Sequence, residues 1–338
     1  MTGKVIIFGA TGKVGCYTAL YLKEQGWDVV ASGRRASDGG FFADYGIPYV
    51  SVDIMDKSRF AALPSENVFA VINMAAVLPA TMEGYDPHVY VDDIHGAMNV
   101  LEYAVSAGVE RFVFPTTVAD VSYLFESGRP IPEDAERRFP LNSDHSVYAI
   151  TRNASVDILR HFSAKYGFRH YVLRFQNVFC YHPNPTFHKD GVKRWTGQRA
   201  IIEDAKAGRD IEIWGDPERG RDVFYVKDCT QIIGKCLSSD AESGIYNVGS
   251  GKMVSRREQV EGIIKVWAPE GSHPSIIVRS DKPDSTNYRL DISKTVEKLG
   301  YRPQYDYMKY LLDLKKEMEQ NRFEKLWGRE SDYTEGLC

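Results

Sequence analysis

The chain has 338 residues, of which 43% are hydrophobic and 26% are charged, and its formal net charge is −4 at pH 7. This length and composition are typical of a soluble globular protein with a large core, in one domain or in two joined lobes. The slightly acidic balance gives no basis for a nucleic-acid partner, and no apolar run approaches the length of a membrane span, so we expect neither kind of association.

The cysteines bear on the cellular compartment. There are five, an odd number, and their scattered positions show no metal-like spacing. This pattern favours reduced thiols over disulfides. A strand predicted from Lys4 leaves no room for a signal peptide, and no lipidation motif surrounds Cys338. We therefore expect a cytoplasmic protein.

The first 26 residues have the pattern of a dinucleotide-binding unit. Lys4–Phe8 predicts a buried strand, and an amphipathic helix that ends near Gly26 follows it. The glycines between them suit a tight turn, a close approach of the backbone to a pyrophosphate, and packing of the helix on the strand. Amides at the helix N-terminus then bind the phosphates, although a tight turn without a ligand is the alternative. The expected cofactor contacts are Gly9, Thr11, Gly12, Lys13, Val14 and Gly15.

The end of the second strand bears on the choice of dinucleotide. Asp28–Ser32 predicts a strand, and Gly33, Arg34 and Arg35 follow it. Sites that prefer NAD place a carboxylate near this point for the ribose 2′-hydroxyl, whereas arginine attracts and grips a 2′-phosphate. Arg34 and Arg35 therefore predict NADP, with NAD as the alternative cofactor. A solvated basic loop is the alternative without a ligand.

Strands and helices alternate through the first half of the chain. Strands are predicted at Tyr49–Val52, Phe69–Met74, Arg111–Phe114 and His170–Arg174, and helices at about 89–107 and from 148 to about 166. The alternation predicts an α/β fold with a Rossmann-type, doubly wound parallel sheet. Ligands of such sheets lie beyond the C-terminal ends of the strands. Five residues at such ends are expected to line one crevice, namely Gly9, Ser32, Asp53, Ala75 and Thr117.

Tyr148 and Arg152 form a candidate proton-transfer pair. They are four residues apart, so they share one face of the predicted helix. A phenol beside a fixed positive charge transfers protons near neutral pH if its pKa falls by ~2–3 units, which takes ~3–4 kcal/mol of differential stabilisation. A packed tyrosine beside a solvated arginine is the alternative.

The amino-acid composition changes after Asn177, where prolines, histidines and aromatic residues become frequent. We expect a dinucleotide-binding domain over 1–177 plus about 221–249, and a smaller C-terminal α/β substrate lobe over 178–220 and 250–320. A charged helix is predicted from Lys315 to Arg329, and residues 321–338 are assigned to a tail. His182 and His188 are candidates for substrate or metal binding, although no metal set surrounds them and solvated loop histidines are the alternative.

Taken in order, these motifs resemble the extended short-chain dehydrogenase/reductase superfamily, in its NAD(P)-dependent sugar-nucleotide epimerase/dehydratase branch. The likeness covers about residues 3–312. Its motifs are Gly9–Gly15, Asn73–Ala76, Thr116–Thr117, Tyr148 with Arg152, Leu173–Val178, Arg221–Val226, Tyr246–Gly251 and Leu290–Lys294.

The resemblance implies roles for individual residues. Tyr148 resembles the catalytic acid/base, Thr117 the hydroxyl that shares a hydrogen bond with the substrate oxygen, and Arg152 the cation beside the nicotinamide ribose. Adenine contacts are implied for Asp53 and Ile54. The further residues implied are Ala75 beside the cofactor, Asn177 and Arg221 at the substrate diphosphate, and Lys282 and Arg289 at the nucleotide. An ion pair with Asp222 or another carboxylate is the alternative for Arg221, and a solvated surface is the alternative for Lys282 and Arg289.

Three positions depart from the family pattern. Arg152 stands where the family has lysine, and a guanidinium does not release a proton at ordinary pH. Cys180 stands where the family usually has glycine, either as a small buried residue or as a reactive thiol. Val118 and Ala119 replace the acidic pair that sugar dehydratases use to eliminate water, which argues against dehydration.

The leading hypothesis is an NADP-dependent epimerase of a sugar nucleotide, which oxidises a sugar carbon transiently to a ketone and returns the hydride. One alternative is an NADPH-dependent reductase of a sugar-nucleotide or other carbonyl. Another is a catalytically weak NADP(H)-binding regulatory protein, in which Arg152 has replaced the active lysine. The family resemblance also implies a homodimer, formed by the helices near 92–107 and 148–165.

Overall fold

A parallel sheet of seven strands lies at the centre of the computed structural model, which describes residues 3–78, 86–189 and 192–334. Along the chain the strands are β1 (Lys4–Phe8), β2 (Asp28–Gly33), β3 (Tyr49–Ser51), β4 (Val68–Asn73), β5 (Arg111–Thr117), β6 (Arg169–Phe175), β7 (Val178–Phe179), β8 (Thr186–Lys189), β9 (Val192–Trp195), β10 (Ile211–Trp214), β11 (Gly220–Asp222), β12 (Phe224–Tyr225), β13 (Gly244–Asn247), β14 (Met253–Ser255) and β15 (Ile276–Arg279). The central sheet has the order β13-β6-β5-β4-β1-β2-β3.

Helices cover both faces of this sheet. They are α1 (Lys13–Glu24), α2 (Phe41–Asp44), α3 (Pro87–Ser106), α4 (Asp144–Tyr166), α5 (Gly197–Lys206), α6 (Val226–Ser238), α7 (Arg256–Trp267), α8 (Ser293–Leu299), α9 (Tyr307–Gln320), α10 (Glu324–Trp327) and α11 (Ser331–Thr334), with 3-10 helices at Lys57–Ala62 and Val118–Leu124. Within the described ranges, no helix combines the length and apolarity that a membrane crossing requires.

The residues of β1 explain why helices pack on two sides. Val5 and Ile7 belong to one buried cluster with α1 and α6, whereas Ile6 and Phe8 belong to a second cluster with α3 and α4. Alternate side chains of a strand point to opposite faces, so an apolar run of this kind requires a cover on each face. The predicted doubly wound parallel sheet is confirmed.

Strand β5 is longer than predicted, and its extension carries residues of the site. Pairing between β4 and β5 ends at Val113, while pairing between β5 and β6 continues to Thr117. Pro115 has no backbone N–H, and it is tolerated because it lies beyond the last β4 pair. As a result, Thr116 and Thr117 are held by regular strand structure at the edge of the sheet.

After Asn177 the chain adds β13 to the central sheet and forms several two-stranded sheets outside it. Strands β10 and β15 are parallel, β11 and β14 are antiparallel, and α7 contacts both α5 and α9. Strand β12 pairs with β7, and one buried cluster extends from β1 through Tyr225 to Tyr310. Because this core is continuous, the division into a dinucleotide-binding domain and a substrate lobe stays a prediction.

The C-terminal residues differ from the expected charged helix and tail. Helix α9 ends at Gln320, and Asn321 turns the chain with a left-handed φ of 38°. Phe323, Leu326 and Trp327 are then buried in the cluster that contains α1 and α2, because this stretch carries large apolar side chains among its charges. Residues 321–334 are therefore packed structure, and Cys338 lies outside the described residues.

Candidate active site

A cavity of about 2080 Å³ lies where the strands of the central sheet end. The predicted site residues that line it are Gly9, Thr11, Gly12, Lys13, Val14, Gly15, Arg34, Arg35, Asp53, Ile54, Ala75, Thr117, Tyr148, Arg152, Asn177 and Arg221. Ser32 does not line it, since its side chain is fully buried and Gly33 provides the lining at the end of β2. The structure thus brings most of the predicted site together.

The glycine-rich turn between β1 and α1 has no room for side chains. A Cβ atom on Gly9, whose φ is +73°, would lie 2.7 Å from the backbone nitrogen of Ala75. A Cβ atom on Gly15 would lie 2.2 Å from the carbonyl oxygen of Gly9. Gly12 is the N-cap of α1 and supplies no side-chain cap, and the first turn of the helix contains no acidic residue. Its amides are therefore suited to a phosphate anion.

Several buried donors on the cavity wall have no hydrogen-bond partner among the described residues. They include the hydroxyl of Thr116 and the Nε atoms of Arg152 and Arg199. Buried polar groups are normally satisfied, so donors left open beside a cavity indicate a polar ligand. Together with the glycine-rich turn, they fit a dinucleotide cofactor.

The candidate proton-transfer pair lies on α4. The guanidinium carbon of Arg152 is 5.8 Å from the centroid of the Tyr148 ring and 4.7 Å from that of the Phe114 ring. Arg152 is only 2% exposed, whereas Tyr148 is half-buried with its ring edge toward Tyr90. A solvated arginine is therefore excluded, because this cation is held between two aromatic rings inside the protein.

Thr117 is fixed by a local hydrogen bond. It is the N-cap of the 3-10 helix Val118–Leu124, and its Oγ1 atom accepts a hydrogen bond of 3.1 Å from the backbone N–H of Ala119. This bond uses an acceptor site and leaves the hydroxyl hydrogen free to point into the cavity.

Asp93 on α3 is a cavity residue that sequence reasoning missed. It is 9% exposed, and its Oδ2 atom accepts a hydrogen bond of 3.0 Å from the backbone N–H of Val77. Burial raises the pKa of Asp93, and the positive charge of Arg152 opposes this rise. A signal was present: Asp93 has helical spacing with Tyr90, Ala97 and Val100, which are all buried.

The two arginines after β2 share an environment but differ in their hydrogen bonds. Arg34 and Arg35 both line the cavity and both are exposed. The Nη1 atom of Arg35 already donates a hydrogen bond to the carbonyl oxygen of Leu326 in α10. In the same C-terminal segment, Nε1 of Trp327 donates to the carbonyl oxygen of Thr11 at 2.9 Å. Neither contact was anticipated, since each joins residues about 300 positions apart.

His182 and Cys180 lie between the turn and the C-terminal segment. The His182 ring packs at a tilt against the Trp327 ring, with the centroids 4.5 Å apart, and its Nδ1 atom accepts a hydrogen bond of 3.0 Å from the backbone N–H of Asn184. Burial, with the charges of Lys13 and Arg35, lowers the pKa of His182 to about 3. Burial raises the pKa of the Cys180 thiol to about 11. His182 is thus not a solvated loop residue, and Cys180 has the character of a buried thiol.

Arg221, on β11, lines the same cavity as the glycine-rich turn. Its guanidinium carbon is 5.7 Å from the centroid of the Phe179 ring. The alternative ion pair with Asp222 is excluded, because the Asp222 carboxylate accepts hydrogen bonds from Ser250 and from the backbone N–H of Gly251. Asn177, an exposed residue just after β6, lines the same cavity.

The predicted nucleotide contacts of Lys282 and Arg289 are not supported, because neither side chain lines the cavity. The ammonium of Lys282 is drawn to the ring of Trp214, 5.6 Å from its centroid. The carbonyl oxygen of Arg289 accepts a hydrogen bond from the backbone N–H of Ile131. The residues before and after Arg289 in the chain are both buried. The cavity lining instead includes Arg256 of α7, which sequence reasoning did not predict.

A metal site has no support from the described part of the chain, in which no three His, Cys, Asp or Glu side chains are placed to hold one ion.

Comparison with known proteins agrees with this geometry. The family model of the NAD dependent epimerase/dehydratase family matches residues 5–249. A protein of Methanocaldococcus jannaschii named putative UDP-glucose 4-epimerase is 26% identical over 308 residues, which cover 89% of this chain and 94% of that protein.

Solved structures of low sequence identity share the fold. The UDP-glucose 4-epimerase of Thermotoga maritima, solved with UDP-glucose, has a TM-score of 0.74 at 20% identity and covers 94% of this chain and 99% of its own. The UDP-glucose 4-epimerase of Thermus thermophilus, solved with NAD, has a TM-score of 0.69 at 22% identity and covers 99% of this chain and 100% of its own.

Proposed function

The chain belongs to the NAD-dependent epimerase/dehydratase family, and on that premise we propose that it is an NADP-dependent epimerase of a sugar nucleotide. The observation that carries this proposal is the meeting of Tyr148, Arg152 and Thr117 with the glycine-rich turn in one cavity. The relatives with similar sequences include proteins named for UDP-glucose and GDP-mannose epimerisation, which supports the reaction class.

The cofactor fits the first domain. The pyrophosphate would bind the backbone of the turn and the N-terminus of α1, together with Thr11, Lys13 and Val14. Asp53 and Ile54 would contact adenine, Ala75 would flank the cofactor, and Arg152 would donate to the nicotinamide ribose through its open Nε atom. When bound, the nicotinamide accepts a hydride from the sugar and returns it to the other face.

Tyr148 would move the proton. As a phenolate it would take the proton of the sugar hydroxyl while the same carbon gives up its hydride, which leaves a keto sugar. It would give the proton back after the ketone has turned and the hydride has returned to the carbon. Thr117 donates a hydrogen bond to the same sugar oxygen. Arg152 stabilises the phenolate as a permanent cation, and because a guanidinium does not release protons, the proton stays with Tyr148.

The preference for NADP over NAD rests on the end of β2. No carboxylate follows this strand within 33–35, and Arg34 faces the cavity with Arg35 beside it. Since Arg35 is engaged by Leu326, we assign the grip on the 2′-phosphate chiefly to Arg34. Titration with both cofactors tests this preference, and NAD+ binding as tight as NADP+ binding would overturn it.

The substrate would lie across the cavity, with its diphosphate at Arg221 and Asn177. Wild-type protein with a trace of NADP+ is incubated with UDP-glucose, and in parallel with GDP-mannose, and the sugars are then separated by chromatography. Epimerisation yields a new sugar nucleotide without stoichiometric absorbance change at 340 nm. In a parallel incubation with excess NADPH, a reductase instead consumes NADPH in proportion to product. No turnover of either compound under either condition would count against both reactions.

We also propose a cytoplasmic homodimer built on α3 and α4. These helices pack on each other and expose Val91 and Ile150, which are 41% and 46% accessible. Paired helices of two copies would cover such side chains. Light scattering of the purified protein tests the assembly, with a mass of about twice 38.2 kDa expected.

A further inference from the structure

Arg221 and Arg256 approach each other at one wall of the cavity. Strands β11 and β14 are antiparallel, with Arg221 opposite Val254 and Gly220 opposite Ser255. Arg256 comes directly after β14 as the first residue of α7, and its backbone N–H donates to the carbonyl oxygen of Arg219 at 2.9 Å. This register brings two guanidinium groups to the same cavity.

The charges of this arginine pair are not neutralised by the protein. Nη1 of Arg256 donates to the neutral Oε1 of Gln259 at 2.8 Å, and Arg221 lies over the Phe179 ring. Across the described ranges, no carboxylate forms an ion pair with either one. Burial and the charge of Arg221 both lower the pKa of Arg256. Two like charges in one partly buried place destabilise each other unless an anion lies between them.

The adjacent arginines behave differently. Arg219 pairs with Glu126, and Nε of Arg257 pairs with Glu218 at 2.9 Å. The nearest acidic groups on the same elements are also engaged: Asp222 accepts from Ser250 and Gly251, and Glu258 accepts from the backbone N–H of Ser255. Of these neighbouring arginines, Arg221 and Arg256 line the cavity and have no ion pair among the described residues, whereas Arg219 and Arg257 are paired and do not line it.

We propose that Arg256 and Arg221 form a clamp of two guanidinium groups for the substrate diphosphate, with Arg256 as a specificity-determining residue. The proposal rests on the sugar-nucleotide function proposed above. Each guanidinium presents a planar fork that suits two phosphate oxygens, so two forks match a diphosphate better than a monophosphate. The clamp is separate from the glycine-rich turn, which would bind the cofactor pyrophosphate.

The test measures binding of UDP, UMP and inorganic pyrophosphate by calorimetry, with NADP+ present in excess to fill the cofactor site. Arg256→Gln removes the charge and keeps a polar side chain. We expect it to weaken UDP and pyrophosphate binding by about tenfold or more, to weaken UMP binding less, and to reduce the salt dependence of UDP binding. Arg257→Gln, on the same helical turn, should change each affinity less than about twofold.

The melting temperature distinguishes a purely structural role of Arg256 from the proposed binding role. Because the free protein holds two repelling charges, Arg256→Gln should leave the melting temperature without ligand unchanged or raised, and Arg256→Lys should recover part of the UDP affinity. UDP binding by Arg256→Gln as tight as by wild type overturns the clamp. If UDP-glucose is turned over but Arg256→Gln binds normally, the clamp fails and the epimerase stands. If UDP binding depends on Arg256 but no sugar nucleotide is turned over, the clamp stands and the epimerase proposal fails.

Discussion

The indole nitrogen of Trp327 donates a hydrogen bond to the carbonyl oxygen of Thr11, 316 residues earlier in the chain. Thr11 belongs to the glycine-rich turn, so the end of the chain is bonded to the loop that would hold the cofactor. The Trp327 ring also packs on Phe323 at 4.5 Å and on His182 at the same distance. The C-terminal segment 321–334 thereby supports the cofactor site from outside.

Trp327→Phe tests this support, since it removes the hydrogen bond and retains an aromatic ring. A lost hydrogen bond costs about 1 kcal/mol, which corresponds to roughly a fivefold weaker cofactor. We expect the dissociation constant for NADP+ to rise by this factor in a fluorescence titration.

Trp214→Phe is the matched control, because this exposed indole donates to Glu212 and does not touch the turn. It should leave NADP+ binding unchanged. Equal effects of the two substitutions would show that Trp327 has no particular influence on the cofactor site.

Arg152 is predicted to act through its charge. Arg152→Met should lower the turnover number by at least about 100-fold, because the phenolate of Tyr148 loses its cation. The loss should appear across the whole pH range in which wild type is active, since a guanidinium does not release protons there. Arg152→Lys should retain more activity than Arg152→Met.

Arg160→Met on the same helix is the control for Arg152, since Arg160 is an exposed residue that does not line the cavity. Steady-state rates from pH 6 to 10 provide the comparison. Rates equal to those of wild type across this range in Arg152→Met would show that its charge does not act on the reaction.

His182 is expected to make stability depend on pH. Its folded-state pKa is lowered to about 3, below the ordinary value of 6.5, so the unfolded chain binds a proton more readily. Stability from this group is complete above pH 6.5 and decreases as the pH falls toward 3, by at most about 1.4 kcal/mol per pH unit.

Urea unfolding between pH 7 and pH 4 measures this dependence. His182→Phe should unfold with a shallower dependence on pH than wild type, whereas His273→Gln, at an exposed histidine, should leave the dependence unchanged. If His182→Phe loses stability on acidification as steeply as wild type, His182 is not the group responsible.

Local patterns explain what was predictable from sequence. The turn Gly9–Gly15 and the pair Tyr148 and Arg152 depend on spacings within a few residues, and the structure places them in one cavity. The doubly wound sheet followed from apolar strands that alternate with helices. Helix α4 even ends at Tyr166 with Gly167 in the left-handed conformation, as its sequence indicates.

The remaining features depend on contacts between distant segments. The arginine pair exists because β11 and β14 have a particular antiparallel register, which no short motif encodes. Likewise, the many charged residues of the C-terminal segment predicted a charged helix and tail. Its aromatic residues Phe323 and Trp327 pack on Tyr17, a contact that no local pattern indicates. The contact between Lys282 and the ring of Trp214 likewise joins distant positions, so no local pattern predicted it.

The central claim is that the Tyr148 oxygen moves the proton of the sugar hydroxyl, and Tyr148→Phe tests it by removing that one atom. We expect the conversion of UDP-glucose and of the other sugar nucleotides that wild type accepts to slow by about 10²–10⁴-fold, with NADP+ binding retained. Tyr166→Phe, at an exposed tyrosine of the same helix, should convert them at the wild-type rate. Turnover by Tyr148→Phe at the rate of wild type would contradict the proposed chemistry.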